Sequence, residues 1–149
     1  MEKTICIPNI ESYTQEIIDG DLILIPKKKY ITEEELERIK ITHAKIKLCV
    51  IYQGEENISC NKKSYRSVLV DIWKSMPTQK ILQNTKFNFK LTNEVGEKGY
   101  KWCPDINMSF QNKDASGTLD EIINMIKLNN MCIDLSLKLE TDEIIHFKI

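Results

Sequence analysis

Nine side chains in this sequence are of the types that meet a phosphate or stack on a base: Lys62, Lys63, Arg66, Lys86, Lys90, Tyr100, Trp102, Lys113 and Lys138. Several lie in segments whose polarity alternates with period two. Lys86, Asn88 and Lys90 alternate with Phe87, Phe89 and Leu91, and Asn107, Ser109 and Gln111 alternate with Ile106, Met108 and Phe110. Further on, Asp134, Ser136 and Lys138 alternate with Ile133, Leu135 and Leu137, and His146 and Lys148 with Ile145, Phe147 and Ile149. A strand points successive side chains to opposite faces, so the apolar set faces a core and the polar set faces outward. The outward set is rich in lysines and amides, with one internal acid, Asp134. Lysines reach phosphates, amides reach base edges, and Tyr100 and Trp102 offer stacking surfaces at the rim. Lys113 falls just past a strand end. A plain solvated face has much the same composition, so these residues open a hypothesis without deciding it. A second basic group, Lys62, Lys63 and Arg66, surrounds the start of a strong helix, where backbone N–H groups suit an anion.

A catalytic alternative rests on Pro104-Asp105 followed by Gln111-Asn112-Lys113. Over these two short motifs the chain resembles restriction-type nucleases, in which an Asp and a strand ending in Glu-x-Lys or Gln-x-Lys hold Mg²⁺. The resemblance implies a Mg²⁺-dependent nuclease-like domain around Asp105, Gln111 and Lys113. The chain departs from that pattern twice. Asp105 and Gln111 are too near in sequence to occupy adjoining strands, and Gln111 stands where an acid binds metal better.

No other constellation reads as chemistry. His43 and His146 have no second ligand at metal spacing, and Cys6, Cys49, Cys60, Cys103 and Cys132 are scattered without a CxxC pair. Cys6, Cys49, Cys103 and Cys132 sit in or beside apolar segments, as small buried hydrophobes do. Gly96-Glu97-Lys98-Gly99 lacks the helix that follows a phosphate loop. No catalytic residue, metal or cofactor is therefore expected.

The elements that must position these side chains can be read locally. Ser12 with Gln15 predicts a capped short helix closing at Gly20, followed by a strand over Leu22–Ile25 that ends at Pro26 and the solvated Lys27-Lys28-Lys29. Thr32 and Glu35 form a second capping box, with Ile31 and Leu36 as a staple. Lys45–Tyr52 reads as a strand covered on both faces, followed by a turn at Gly54–Asn57. Tyr65, Val68, Leu69, Ile72, Trp73 and Met76 fall on one helical stripe that Pro77 ends, with Arg66, Ser67, Val70, Asp71 and Lys74 on the solvent side. Residues 93–99 read as a polar loop. Thr118 and Glu121 predict a capped helix bearing Leu119, Ile122, Ile123 and Ile126 and closing at Asn129–Asn130. The last two alternating segments form a hairpin across Glu140–Glu143.

At 149 residues, 42% hydrophobic and 29% charged, the chain has the size and composition of one globular domain. Twelve Lys and Arg face twelve Asp and Glu up to Met76, and nine face ten from Pro77 on, so no global field draws it to a polyanion. Any nucleic-acid contact needs a locally basic face. No apolar run is long enough for a membrane span, and the cysteine usage fits a reducing, cytoplasmic address. The expectation is an α+β fold, a single domain over residues 1–149 with a seam near Pro77, mainly antiparallel sheet with three one-sided helices. Its expected role is a non-catalytic intracellular binding module for nucleic acid. A protein–protein adaptor or inhibitor using a sheet edge or the Tyr100/Trp102 loop is the alternative, and the nuclease-like domain the third.

Overall fold

A computed structural model describes residues 13–26, 30–92 and 99–149. It is an α+β structure, and the chain divides into two compact units, Met1–Tyr30 and Ile31–Ile149. Pro77 lies within the second unit.

The first unit contains a hairpin in place of the expected helix. β1 (Tyr13–Ile18) pairs antiparallel with β2 (Asp21–Pro26), with Ile18 opposite Asp21. Asp19 and Gly20 turn the chain with φ of 51° and 83°. Both central residues of a type I′ hairpin turn need positive φ, which an Asp-Gly pair supplies. Gly20 is thus a turn residue rather than a helix stop. Ile10–Ser12, Lys27–Lys29, Cys6 and residues 93–98 lie outside the described residues.

Among its described residues the second unit holds two sheets and four helices. Its larger sheet has the order β3 (Tyr30–Ile31), β10 (Ile144–Lys148), β9 (Cys132–Lys138), β4 (Lys45–Gln53), β5 (Glu56–Ser59). The β10-β9, β9-β4 and β4-β5 pairs are antiparallel. The β9-β10 hairpin forms as the alternation predicts. The smaller sheet, β6 (Phe89–Lys90), β8 (Met108–Gln111) and β7 (Tyr100–Cys103), is also antiparallel.

Local sequence sets the helix ends. α1 (Glu33–Arg38) has the expected reciprocal cap: Thr32 Oγ1 accepts from Glu35 N, and Glu35 Oε1 accepts from Thr32 N. α2 (Tyr65–Lys74) is capped by Ser64 and ends at Ser75. Pro77 does not simply stop it. It is the N-cap of an unanticipated fourth helix, α3 (Thr78–Asn84). α4 (Ala115–Leu128) starts three residues before the predicted cap, because Asp114 rather than Thr118 accepts from the backbone, at Gly117 N. Asn129 and Asn130 close it as expected, with Asn130 at φ 54° and Met131 N–H bonded to Ile126 O, a Schellman closure.

One core runs through the second unit. Ile46, Cys49 and Ile51 of β4, Ile133, Leu135 and Leu137 of β9, and Ile145 and Phe147 of β10 are buried with the stripes of α2 and α4. β4 is not covered equally on both faces. Its other side, with Leu48, Val50 and Tyr52, is only half-buried. Val70, expected in solvent, is buried. Trp73 is fully buried and links α2 to the smaller sheet, meeting Phe87, Phe89 and Phe110 edge-on at 5.4, 4.9 and 5.1 Å between ring centres. Among the described residues no helix is long and apolar enough to cross a membrane.

Candidate nucleic-acid interface

The smaller sheet brings together the centre of the sequence-predicted site. Directly opposed residues of an antiparallel pair point to the same face. Phe89 opposes Phe110, and both turn inward to Trp73. On the outer face Lys90, Ser109 and Trp102 form one cross-strand row, and Gln111 and Tyr100 belong to the next. Asn88 joins that second row, since its Nδ2 donates to Gln111 Oε1 at 3.1 Å. Lys90 Nζ lies 4.6 Å from the centre of the Tyr100 ring. Trp102 is 37% exposed, whereas Trp73 is fully buried.

The row centre differs from the expectation of a solvated strand. Ser109 is only 3% exposed, and its hydroxyl donates to Thr92 O at 2.6 Å. Asn107 lies in the β7–β8 turn at φ 51°, outside both strands. Leu91, expected to face the core, is 70% exposed beside Lys90. Residues 93–98, with Glu94 and Glu97, are outside the described residues.

The remaining cations are placed elsewhere. Lys113 Nζ donates to Lys86 O at 3.0 Å and sits 4.9 Å from the Phe87 ring centre, while Arg66 lies 5.0 Å from that of Phe110. These contacts put Arg66 and Lys113 at the aromatic cluster beneath the sheet. Lys86 lines a groove between α1 and α4, and its backbone N donates to Glu121. At the start of α2 the expected anion cradle is engaged internally. Lys63 Nζ donates to Lys47 O at 2.6 Å, Lys62 approaches Asp71 at 3.9 Å, and Ser64 Oγ accepts from Ser67 N.

The second-half polar face is not one surface. Lys138, His146 and Lys148 belong to the five-stranded sheet, with Asp134 and Ser136. There Lys138 faces Asp142 at 3.4 Å and Ser136 Oγ lies 2.7 Å from His146 Nδ1. Periodicity reveals which side of a strand is polar but carries no information on which sheet the strand joins. The amide pair Asn88–Gln111 was legible only as two outward residues, since their contact depends on pairing across 23 positions.

Asp105, Gln111 and Lys113 of the nuclease-like set lie before, at the end of and just after one strand, β8. Asp105 lies in the turn before β8 and Gln111 at the far end of that strand, about 10 Å along the chain axis for a four-residue strand. Among the described residues no group of three His, Cys, Asp or Glu side chains has metal-binding geometry. Cys49, Cys60, Cys103 and Cys132 are free thiols, with Cys49 and Cys103 buried as expected and Cys60 exposed. Burial pushes the Cys49 thiol up to about 12, reinforced by the Asp134 carboxylate, and burial likewise raises Tyr65 to about 12. Such groups stay neutral near pH 7 and suit packing better than nucleophilic chemistry.

No protein-family model, curated protein or solved structure matches the chain significantly. The geometry of the outer sheet face therefore carries the functional reading alone.

Proposed function

We propose that the chain is a non-catalytic binding module that holds single-stranded nucleic acid on the outer face of β6-β8-β7. The observation that carries this reading is the row of Lys90 and the exposed Trp102, flanked by the Asn88–Gln111 amides. An exposed indole accepts any unpaired base as a stacking partner, and an alanine in its place typically loses about 1–3 kcal/mol per base. Lys90 supplies the nearby positive charge for a phosphate. The amides supply donors and acceptors for base edges. With a net charge of −1 there is no long-range attraction, so binding is local and weak compared with a basic nucleic-acid protein.

The test is titration of a fluorescein-labelled thymidine oligonucleotide at several salt concentrations, read by anisotropy and by tryptophan emission. Trp73 is buried, so quenching on binding reports Trp102. The expected result is saturable quenching with a log–log salt slope of about −0.7 per phosphate contacted. Absence of binding at low salt discards the reading and leaves a protein partner for this face.

A further inference from the structure

The two rows of the outer sheet face differ in chemistry. Trp102 and Tyr100 stand two residues apart on β7 and share that face, so the rows are about 7 Å apart along the strand. In the first row Trp102 is exposed, and its direct neighbour cannot read a base. That neighbour, Ser109, is 3% exposed, and its hydroxyl is already donated to Thr92 O. The second row is the reverse. Tyr100 is half-buried, with Lys90 Nζ over its ring, whereas Asn88 is exposed and Gln111 partly so.

The second row holds its polar groups in place. Asn88 Nδ2 donates to Gln111 Oε1 at 3.1 Å, so each amide fixes the other. Asn88 Oδ1 still accepts and Gln111 Nε2 still donates, which leaves an acceptor and a donor for a base edge. Lys90 connects the rows. Its backbone lies in the first, on β6 opposite Ser109, and its ammonium reaches Tyr100 in the second, on β7. A strand stacked as in a duplex advances about 3.4 Å per nucleotide, half the row spacing. Successive bases on these rows are therefore drawn apart, as unstacked bases splayed on a protein surface are.

We propose that the face takes two successive nucleotides in unlike roles, an inference that rests on the reading of this face as a single-strand site. The first base stacks on Trp102 whatever its identity, because every base has a π-face. The phosphate that links it to the second meets Lys90. The edge of the second base is read by the Asn88–Gln111 amides, so the site discriminates at one position of the pair.

The test uses isotope-labelled full-length protein with thymidine monophosphate and the thymidine dinucleotide. The mononucleotide should shift the Trp102 indole N–H signal. The dinucleotide should shift that signal together with the side-chain amide signals of Asn88 and Gln111. Homopolymers of thymidine, deoxycytidine and deoxyadenosine, equal in length, should all quench Trp102, with affinities spread by about fivefold or more. Asn88→Ala changes an exposed position and should narrow the spread to about twofold with quenching kept. Differences that came from stacking on Trp102 would survive that change. Equal affinities with Trp102 quenched, amide signals that stay fixed while the indole moves, or an unchanged spread in Asn88→Ala would overturn this inference and leave the single-strand reading standing. Absence of both shift and quenching with every probe would remove the two together.

Discussion

Lys90 Nζ stands over the Tyr100 ring at 4.6 Å, on the same sheet face as Trp102. A cation held over a half-buried aromatic ring gains about 0.5–1 kcal/mol and restricts the lysine. The ammonium also occupies one side of Tyr100, so Trp102 is the more open platform for a base. Lys90 is then held near the place where the phosphate of a stacked nucleotide would run.

Trp102→Ala should weaken oligonucleotide binding by about 1–3 kcal/mol, and Lys90→Gln should flatten the salt slope by about 0.7. Lys90→Gln also gives up the Tyr100 contact, about 0.5–1 kcal/mol of stability, so denaturation midpoints are measured beside binding for both variants. Neutralising Lys86 or Lys138 should matter less, because neither side chain belongs to these rows. Anisotropy titrations of the four variants check this directly. Equal losses for all four would point to diffuse charge rather than a built face.

Trp73→Ala should destabilise the fold by about 3–5 kcal/mol, measured by chemical denaturation. Its indole is fully buried and meets three phenylalanine rings, so truncation opens a cavity between α2 and the smaller sheet. A loss below about 1 kcal/mol would mean that these two elements do not depend on each other.

Glu121 is 1% exposed and belongs to no N-terminal cap. Its carboxylate accepts from Thr85 Oγ1, Lys86 N and Asn124 Nδ2, tying α4 to the chain leaving α3. Glu121→Ala should lose about 1.5–3 kcal/mol and speed hydrogen exchange at the Lys86 amide. Asp114→Ala should cost about 1 kcal/mol, as removal of an N-cap does. Hydrogen exchange at Gly117 N should rise in Asp114→Ala and stay unchanged in Glu121→Ala, which separates the two roles.

Alkaline pH should destabilise the protein through Cys49 and Tyr65. Burial raises the thiol from 9.0 to about 12, with Asp134 adding to it, and raises the phenol from 10.0 to about 12, with Cys49 adding to it. Both are acids whose neutral form the fold favours, so their contribution is complete below about pH 9 and is lost as pH climbs toward 12. Denaturation midpoints should hold up to about pH 9 and fall from there toward pH 12, less steeply in Cys49→Ala. At pH 8 a thiol reagent should modify exposed Cys60 and leave Cys49 untouched until the protein unfolds.

Local chemistry carries much of this structure. The Thr32–Glu35 box, the α2 stripe, the Asn129–Asn130 closure and the β9-β10 alternation each involve residues a few positions apart, so the sequence alone specifies them. The segment at Tyr13–Gly20 shows where local signals compete: a capping pattern and an Asp-Gly hairpin turn overlap, and cross-strand pairing with Asp21–Pro26 resolves them. Tertiary structure alone decides the rest. It separates Lys138, His146 and Lys148 from Lys90 and Trp102 by assigning their strands to different sheets. It also turns Glu121 inward onto Thr85 and Lys86. Periodicity records which side of an element is apolar, whereas the partner that covers that side is chosen by hydrogen bonding and packing between segments far apart in the chain.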